Sequence, residues 1–244
     1  MKFLVCISQV PDTTTKISFV DRKTLNPAGV QYIINPYDEI ALTRALELKE
    51  MLGGTVTVIH VGLAANEATI RKALAIGADD AVRINAEPAD AYQVAFQIAD
   101  FVKKNAYDLI LTGRESIDYN SGQVAGMIAE LADLPSVCVV TKIDLSGTDV
   151  TLEREIDGGK EVIAGKLPLV ISAQKGLAEP RIPNMRGIMS ARTKPMLVGE
   201  PVSSDNLTSS GNYDLPPVKQ ACKLVAADNT DELIRLLHTE AKVI

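Results

Sequence analysis

Short apolar runs alternate with longer amphipathic stretches over the first two thirds of the chain. Phe3 to Ile7 is continuously apolar, which suits a strand covered on both faces of a parallel sheet. Lys16–Val20 reads as an edge strand and Asp21–Gly29 as a loop. Asn35-Pro36-Tyr37-Asp38 then starts a helix: Asn35 caps, Pro36 takes the first helical position and Asp38 sits in the positive first turn. Ile40, Ala41, Ala45, Leu48 and Leu52 continue it at three- and four-residue spacing, and Gly53-Gly54 ends it. Thr55–Val61 is a strand rich in β-branched residues, with Gly62 at its C-terminal end. A helix follows from Glu67 to Ile76, stopped by Gly77. Ala81–Ile84 is a short strand, and Asp90–Lys104 a helix with Val94, Ile98, Phe101 and Val102 inward. Leu109–Leu111 is again a strand. It passes Gly113 into a polar loop and resumes as a helix over Gln123–Ala132, and Ser136–Val140 is the next strand.

This alternation predicts an α/β fold, a mostly parallel, doubly wound sheet with helices on both faces. Three loops then leave strand C-terminal ends: Ser8–Asp12, Val61–Leu63 and Gly113–Gly122. They converge on one crevice, where such sheets bind ligands. Asn35 reaches the same crevice if its side chain is not wholly spent on capping. After Val140 the pattern changes. Asp157-Gly158-Gly159 separates two strand-like runs, Val150–Ile156 and Lys160–Ala164, which predicts a β-hairpin. Leu167–Ser172 returns to the sheet, with Pro168 at its edge or start. Pro195–Pro217 is rich in Ser, Asn, Pro and Gly and reads as an extended arm. Asp228–Glu232 caps a final helix carrying Leu233, Leu236 and Leu237. The expected division is a nucleotide-binding-type domain over 1–194 and a C-terminal arm over 195–244 that packs on another chain.

The length, 244 residues, and a hydrophobic content of 46% provide for a substantial core. The net charge of −6 argues against wholesale nucleic-acid binding. No run approaches the roughly 20 apolar residues of a membrane span, so no membrane insertion is expected. The first apolar run is too short for a signal sequence. The cysteines, Cys6, Cys138 and Cys222, are far apart and odd in number, which suits a reducing compartment. His60 and His238 stand alone, and no metal site is expected.

The chemistry concentrates in Asp108–Gly126. Strand, glycine-bearing loop and helix is a build that offers backbone N–H groups to a phosphate. Glu115, Ser116, Asp118, Tyr119, Asn120 and Ser121 crowd the loop. It lacks both the Gly-Lys-Ser/Thr of a P-loop and a GxGxxG fingerprint. The same stretch also reads as an ordinary strand–helix connection. A second feature is electrostatic. Between Pro180 and Gly199 lie Arg181, Arg186, Arg192 and Lys194 with no acidic residue, interleaved with Ile182, Met185, Ile188 and Met189. Apolar anchors rimmed by arginine suit a docking surface. A short helix turning its apolar side to the core reads equally well.

Three segments carry a resemblance to the electron transfer flavoprotein β subunits, running from about Met1 to Pro195. Asn35–Ala41 resembles the family's NPxxExA helix start. Glu153–Glu161, with Pro168 and Val170 behind it, is similar to its hallmark hairpin. Glu179-Pro180-Arg181, continuing to Gly187–Arg192, resembles its recognition segment. The resemblance implies an adenine-nucleotide-binding type of α/β fold and an electron carrier rather than an enzyme, with no catalytic residue of its own. It implies a heterodimer with an α subunit that carries the redox FAD. It implies electrons arriving from acyl-CoA dehydrogenases or similar flavoenzymes and leaving to a membrane quinone oxidoreductase or another acceptor. The setting would be fatty acid β-oxidation, in the cytoplasm of a bacterium or the mitochondrial matrix of a eukaryote.

On this chain the resemblance implies a nucleotide pocket lined by Ile7, Ser8, Asn35, Val61, Gly62, Ser116, Asp118, Tyr119, Asn120, Gly122, Gln123 and Val124. The ligand would be AMP, with FAD as the alternative found in electron-bifurcating members. The partner-docking residues would be Arg181, Met185, Arg186, Ile188 and Met189, with Met185 as apolar anchor. The chain departs from the family at Arg114-Glu115, usually Lys-Gln, and at Asp118–Ser121. Gln123-Val124 resembles the bifurcating pattern, which Ala125-Gly126 does not complete. An ATP pyrophosphatase on the same fold would need glycines in the loop after the first strand, and Ser8–Asp12 has none. A stand-alone nucleotide sensor would need neither the arm nor the basic segment.

Overall fold

A computed structural model describes residues 1–219 and 221–244. The strands are β1 (Lys2–Cys6), β2 (Gln9–Pro11), β3 (Tyr32–Ile34), β4 (Thr55–Val61), β5 (Asp80–Ile84), β6 (Leu109–Gly113), β7 (Ser136–Ser146), β8 (Asp149–Ile156), β9 (Gly159–Lys166), β10 (Leu169–Ala173) and β11 (Met196–Gly199). The helices are α1 (Pro36–Leu52), α2 (Glu67–Ile76), α3 (Ala91–Lys104), α4 (Val124–Ala132), α5 (Met185–Ala191) and α6 (Thr230–Leu236). Nine strands form one sheet in the order β11-β5-β4-β1-β6-β10-β7-β8-β9. It is parallel from β11 to β7 and antiparallel from β7 through β8 to β9. The α/β class expected from the alternation is therefore the class observed.

The two faces are covered separately. Apolar residues of α1 and α2 pack with Phe3, Val5, Val56 and Val58 on one side. Those of α3 and α4 pack with Leu4, Ile59, Val82 and Ile110 on the other. Continuous apolar runs are what a sheet buried on both faces requires. β1 is followed in sequence by β4 and β5 on one side of it, whereas β6 lies on the other side. The order thus reverses between β1 and β6, and the C-terminal ends of these two strands frame a crevice.

Two local expectations are corrected. Lys16–Val20 is not a strand; Phe19 makes a single bridge to Leu25. A separate two-stranded antiparallel sheet forms instead from β2 and β3, three residues each. Met196–Gly199, read as the start of the arm, forms β11 and pairs in parallel with β5. The hairpin falls where Asp157-Gly158 predicts it, with Gly158 at φ 86°.

Candidate functional site

The crevice is built on hydrogen bonds from its two flanking strands to α1. Ser8, just past β1, donates its backbone N–H and its hydroxyl to Asp38 Oδ2, both at 2.7 Å. Gly113, the last residue of β6, donates its N–H to Asp38 Oδ1 at 2.9 Å. A β-carbon on Gly113 would lie 2.3 Å from that oxygen, so only glycine permits the approach. Burial pushes the Asp38 carboxyl up to about 6, opposed by the hydrogen bonds from Ser8, Asn35 and Gly113.

Asn35 does not cap α1 with its side chain. The buried amide turns to the crevice loop instead, donating from Nδ2 to the Glu115 carbonyl at 2.8 Å and accepting the Ile117 N–H at 3.4 Å. Its own N–H is held by the Ser8 carbonyl at 3.0 Å. The loop closes on itself through Ser116 N–H to the Ser121 carbonyl at 3.0 Å and through the Ser116 hydroxyl to Asp118. Asn120 takes φ 50° at its tip, a conformation Asn tolerates better than most residues. No side chain caps α4. Gln123 and Gly126 in its first turn are exposed, and nothing lies within 4 Å of where a Gly126 β-carbon would be. Free N–H groups at the positive end of a helix, beside an uncrowded glycine, fit a phosphate.

The end of β4 supplies the third wall. His60 Nδ1 donates to the Ile7 carbonyl at 2.9 Å, because a carbonyl can only accept. Burial and the neighbouring Arg83 charge hold its pKa low, so the ring is neutral and Nε2 is a buried acceptor without a protein partner. Arg83 donates to the Gly62 carbonyl at 2.9 Å and to Asn85 Oδ1 at 2.8 Å. A β-carbon on Gly62 would meet His60 Nε2 at 2.4 Å. Asn66 Nδ2 donates to Gln9 Oε1 across the same edge. Ile7, Ser8, Asn35, Val61, Gly62 and the Ser116–Val124 segment are thus brought to one end of the sheet. Asp118, Tyr119, Asn120, Gly122 and Gln123 form its exposed rim.

Asp38, His60 and Arg83 were not singled out from the sequence as crevice residues. The signals were there. His60 and Arg83 interrupt apolar strands that a sheet covered on both faces buries throughout, and Asp38 shares the inward stripe of Ala41, Leu42 and Ala45. A buried ionisable group demands partners. Two surface concavities, of 460 and 500 Å³, lie elsewhere, one beside β7 and β8 and one between α2 and α5.

The basic segment folds as α5 against α2. Gly187 makes this contact: a β-carbon there would be 2.3 Å from the Ala75 carbonyl oxygen. Arg71 donates to the carbonyls of Ala191 and Lys194, and Lys194 donates back to those of Leu74 and Ala78. The segment is anchored through backbone and glycine, which leaves its apolar side chains outward. Ile182 is 92%, Met185 74%, Met189 64% and Ile188 41% exposed, while Ala191 is buried. The core-facing alternative is therefore wrong for these four residues. Arg186 is exposed. Arg181 is committed within the chain, both guanidinium nitrogens meeting Glu50 at 2.6 and 2.8 Å.

The arm runs along α3, where Gln97 bonds Val202 through both its amide atoms and Asp90 accepts from Leu207 and Thr208. It then reaches the crevice rim. Tyr213 stacks on Phe19 with centroids 5.4 Å apart, and its hydroxyl lies 3.2 Å from that of Tyr119. Beyond that point Leu215, Val218 and Leu224 are exposed.

A doubly wound sheet with loops converging at its switch point, an outward apolar helix and an arm held to α3 and the crevice rim defines the class: an open α/β protein of the switch-point type. A family model described as the electron transfer flavoprotein domain matches residues 23–202. The chain is 40% identical to the electron transfer flavoprotein subunit beta of Bacillus subtilis, over all of both chains. It is 38% identical to that of Syntrophomonas wolfei, covering 91% of this chain and 88% of the relative. The human subunit is 34% identical over 100% of this chain and 99% of its own. The chain belongs to the electron transfer flavoprotein β subunit family.

Proposed function

We propose that this chain is the β subunit of a heterodimeric electron carrier and holds one AMP in the β1–β6 crevice. The observation that carries the nucleotide reading is the hydrogen-bonded convergence of Ser8, Asn35 and the Glu115–Ser121 loop beside the uncapped start of α4. The donor set is backbone N–H and neutral polar side chains, without a P-loop lysine, which suits binding a phosphate rather than cleaving one. Bound AMP supplies no redox chemistry; it adds its binding free energy to the folded state by mass action. The redox FAD is assigned to the α subunit. Ser8, Asn35, Asp38 and Gly113 hold the loops in register, Gly62 lets the backbone pass close to His60 and Asn66, Gly126 leaves room for the ligand, and Tyr119 with Tyr213 covers the rim.

The chain docks its electron donor, an acyl-CoA dehydrogenase or a similar flavoenzyme, through Met185, Ile188 and Met189, and Arg186 steers the approach. Arg181, paired with Glu50, stiffens the segment. Electrons leave to a quinone oxidoreductase or another acceptor, and the compartment is the bacterial cytoplasm or, in a eukaryote, the mitochondrial matrix. The exposed apolar residues of the arm, beyond its contacts with α3 and the rim, pack on the α subunit.

The test is to denature the purified complex and identify what it releases. One adenine nucleotide per β chain, with no ATPase activity beforehand, is expected. A second FAD in place of AMP would keep the site and make the protein electron-bifurcating, the reading that Gln123-Val124 favours. A folded complex without any nucleotide on this chain would refute the assignment.

A further inference from the structure

Asp38 is buried in the first turn of α1 and accepts three hydrogen bonds from the two strand ends that flank the switch point. Two come from Ser8 at the end of β1 and one from Gly113 at the end of β6. Among the described residues no cation lies within ion-pair distance of it. The charged groups around it are occupied with one another. Glu39, next to it on α1, pairs with Lys72 of α2 at 2.6 Å. Arg114, at the head of the crevice loop, pairs with Glu115 at 2.8 Å and lies over the Tyr37 ring. On β1 the Cys6 thiol is pushed up by burial and by the Asp38 charge, so it stays neutral. The carboxylate is balanced by hydrogen-bond donors alone, all belonging to the crevice walls.

We propose that the charged form of Asp38 is the positioning element of the crevice, fixing the separation of the β1 and β6 ends and with it the grip of the β6–α4 loop on its nucleotide. The grip on nucleotide rests on the site reading above; the tie between strand ends does not. A proton on Oδ1 would face the Gly113 N–H, and one on Oδ2 would face the Ser8 donors. Donor then meets donor, and a tie is lost on one side of the crevice or the other. Burial already places this carboxyl near 6, so the loss falls between pH 7 and pH 5. Removing one donor to the charged form disfavours that form and moves the transition to higher pH.

The test uses the heterodimer between pH 5 and 8, with the chain labelled for amide spectroscopy. The Ser8 and Gly113 amide resonances should titrate together with a midpoint near 6. Exchange protection of residues 114–122 and nucleotide retained through gel filtration should fall in parallel, retention by about tenfold. Asp38→Asn should abolish the titration and show the lowered retention already at pH 8. Ser8→Ala keeps the carboxyl and should move the midpoint upward, a shift that a merely structural Asp38 would not produce. Amides that do not titrate, or a midpoint unmoved by Ser8→Ala, would overturn the proposal even if Asp38→Asn failed to fold. So would unaltered loop protection in Asp38→Asn. A wild-type complex holding no nucleotide at any pH would remove the nucleotide reading, while the amide titration and loop protection would still decide whether Asp38 ties the strands.

Discussion

Replacing Met185 by alanine separates docking from folding. Burying a methionine side chain completely is worth roughly 1.5–3 kcal/mol. Met185 is 74% exposed in the free chain, so only about a quarter of that, roughly 0.5 kcal/mol, is available to folding. That is the scatter of ordinary surface substitutions, and the melting temperature should fall by no more than about 2 °C. The remaining area is what a partner pocket would desolvate. An anchor in such a pocket typically contributes about 2 kcal/mol, close to 30-fold in affinity. The assay is the rate of flavin reduction in the heterodimer as a function of dehydrogenase concentration, with a melt and a nucleotide count on the same preparation. The concentration for half-maximal rate should rise about 30-fold while FAD, nucleotide and stability stay put. A drop of several degrees in melting temperature would show Met185 to be core. Unaltered transfer from every dehydrogenase tried would show that α5 is not the docking surface.

Arg186→Glu should lower the association rate at low salt, with the defect shrinking as ionic strength rises above about 0.15 M; an equal defect at all salt concentrations would argue against steering. Gly187→Ala forces a β-carbon to 2.3 Å from the Ala75 carbonyl oxygen. It should displace α5 from α2, cost about 1–3 kcal/mol in denaturant unfolding and open the 180–195 segment to protease; a well-packed variant of wild-type stability would refute the packing. Asp38 has a folded pKa raised from 3.8 to about 6, so its contribution to stability is complete below pH 4 and is lost as pH rises through 6. The unfolding free energy of wild type minus that of Asp38→Asn should therefore fall by up to roughly 3 kcal/mol between pH 4 and pH 7, a difference that stays flat if the carboxyl is not desolvated.

The large elements were legible because punctuation and periodicity agreed. Gly53-Gly54 and Gly77 end α1 and α2 where the apolar stripe ends, and Asp90 caps α3 by accepting from Gln93. The short strands were not. β2, β3 and β11 have three or four residues each, too few for alternation to register, and are specified by partner edges far along the chain. At the crevice the loops were legible but the ties between them were not. Asn35 has the chemistry of a cap; only the fold brings the Glu115 carbonyl within its reach. Asp38 looked like a helix-dipole residue, although its place on the inward stripe marked it as buried. At α5, charges interleaved with apolar residues left core and docking equally open. Gly187, whose role depends on the α2 backbone across the interface, turns Met185, Ile188 and Met189 away from the core, which no local pattern shows.

The central claim is that this chain lets a flavin dehydrogenase deliver electrons to its heterodimer. The most direct measurement is stopped-flow reduction of the heterodimer flavin by a dehydrogenase pre-reduced with its own substrate. The account predicts rapid, saturable reduction that is lost when the α subunit is supplied without this chain. Contradiction would come from a flavin that stays oxidised with every such dehydrogenase, or from reduction that proceeds equally well without the chain.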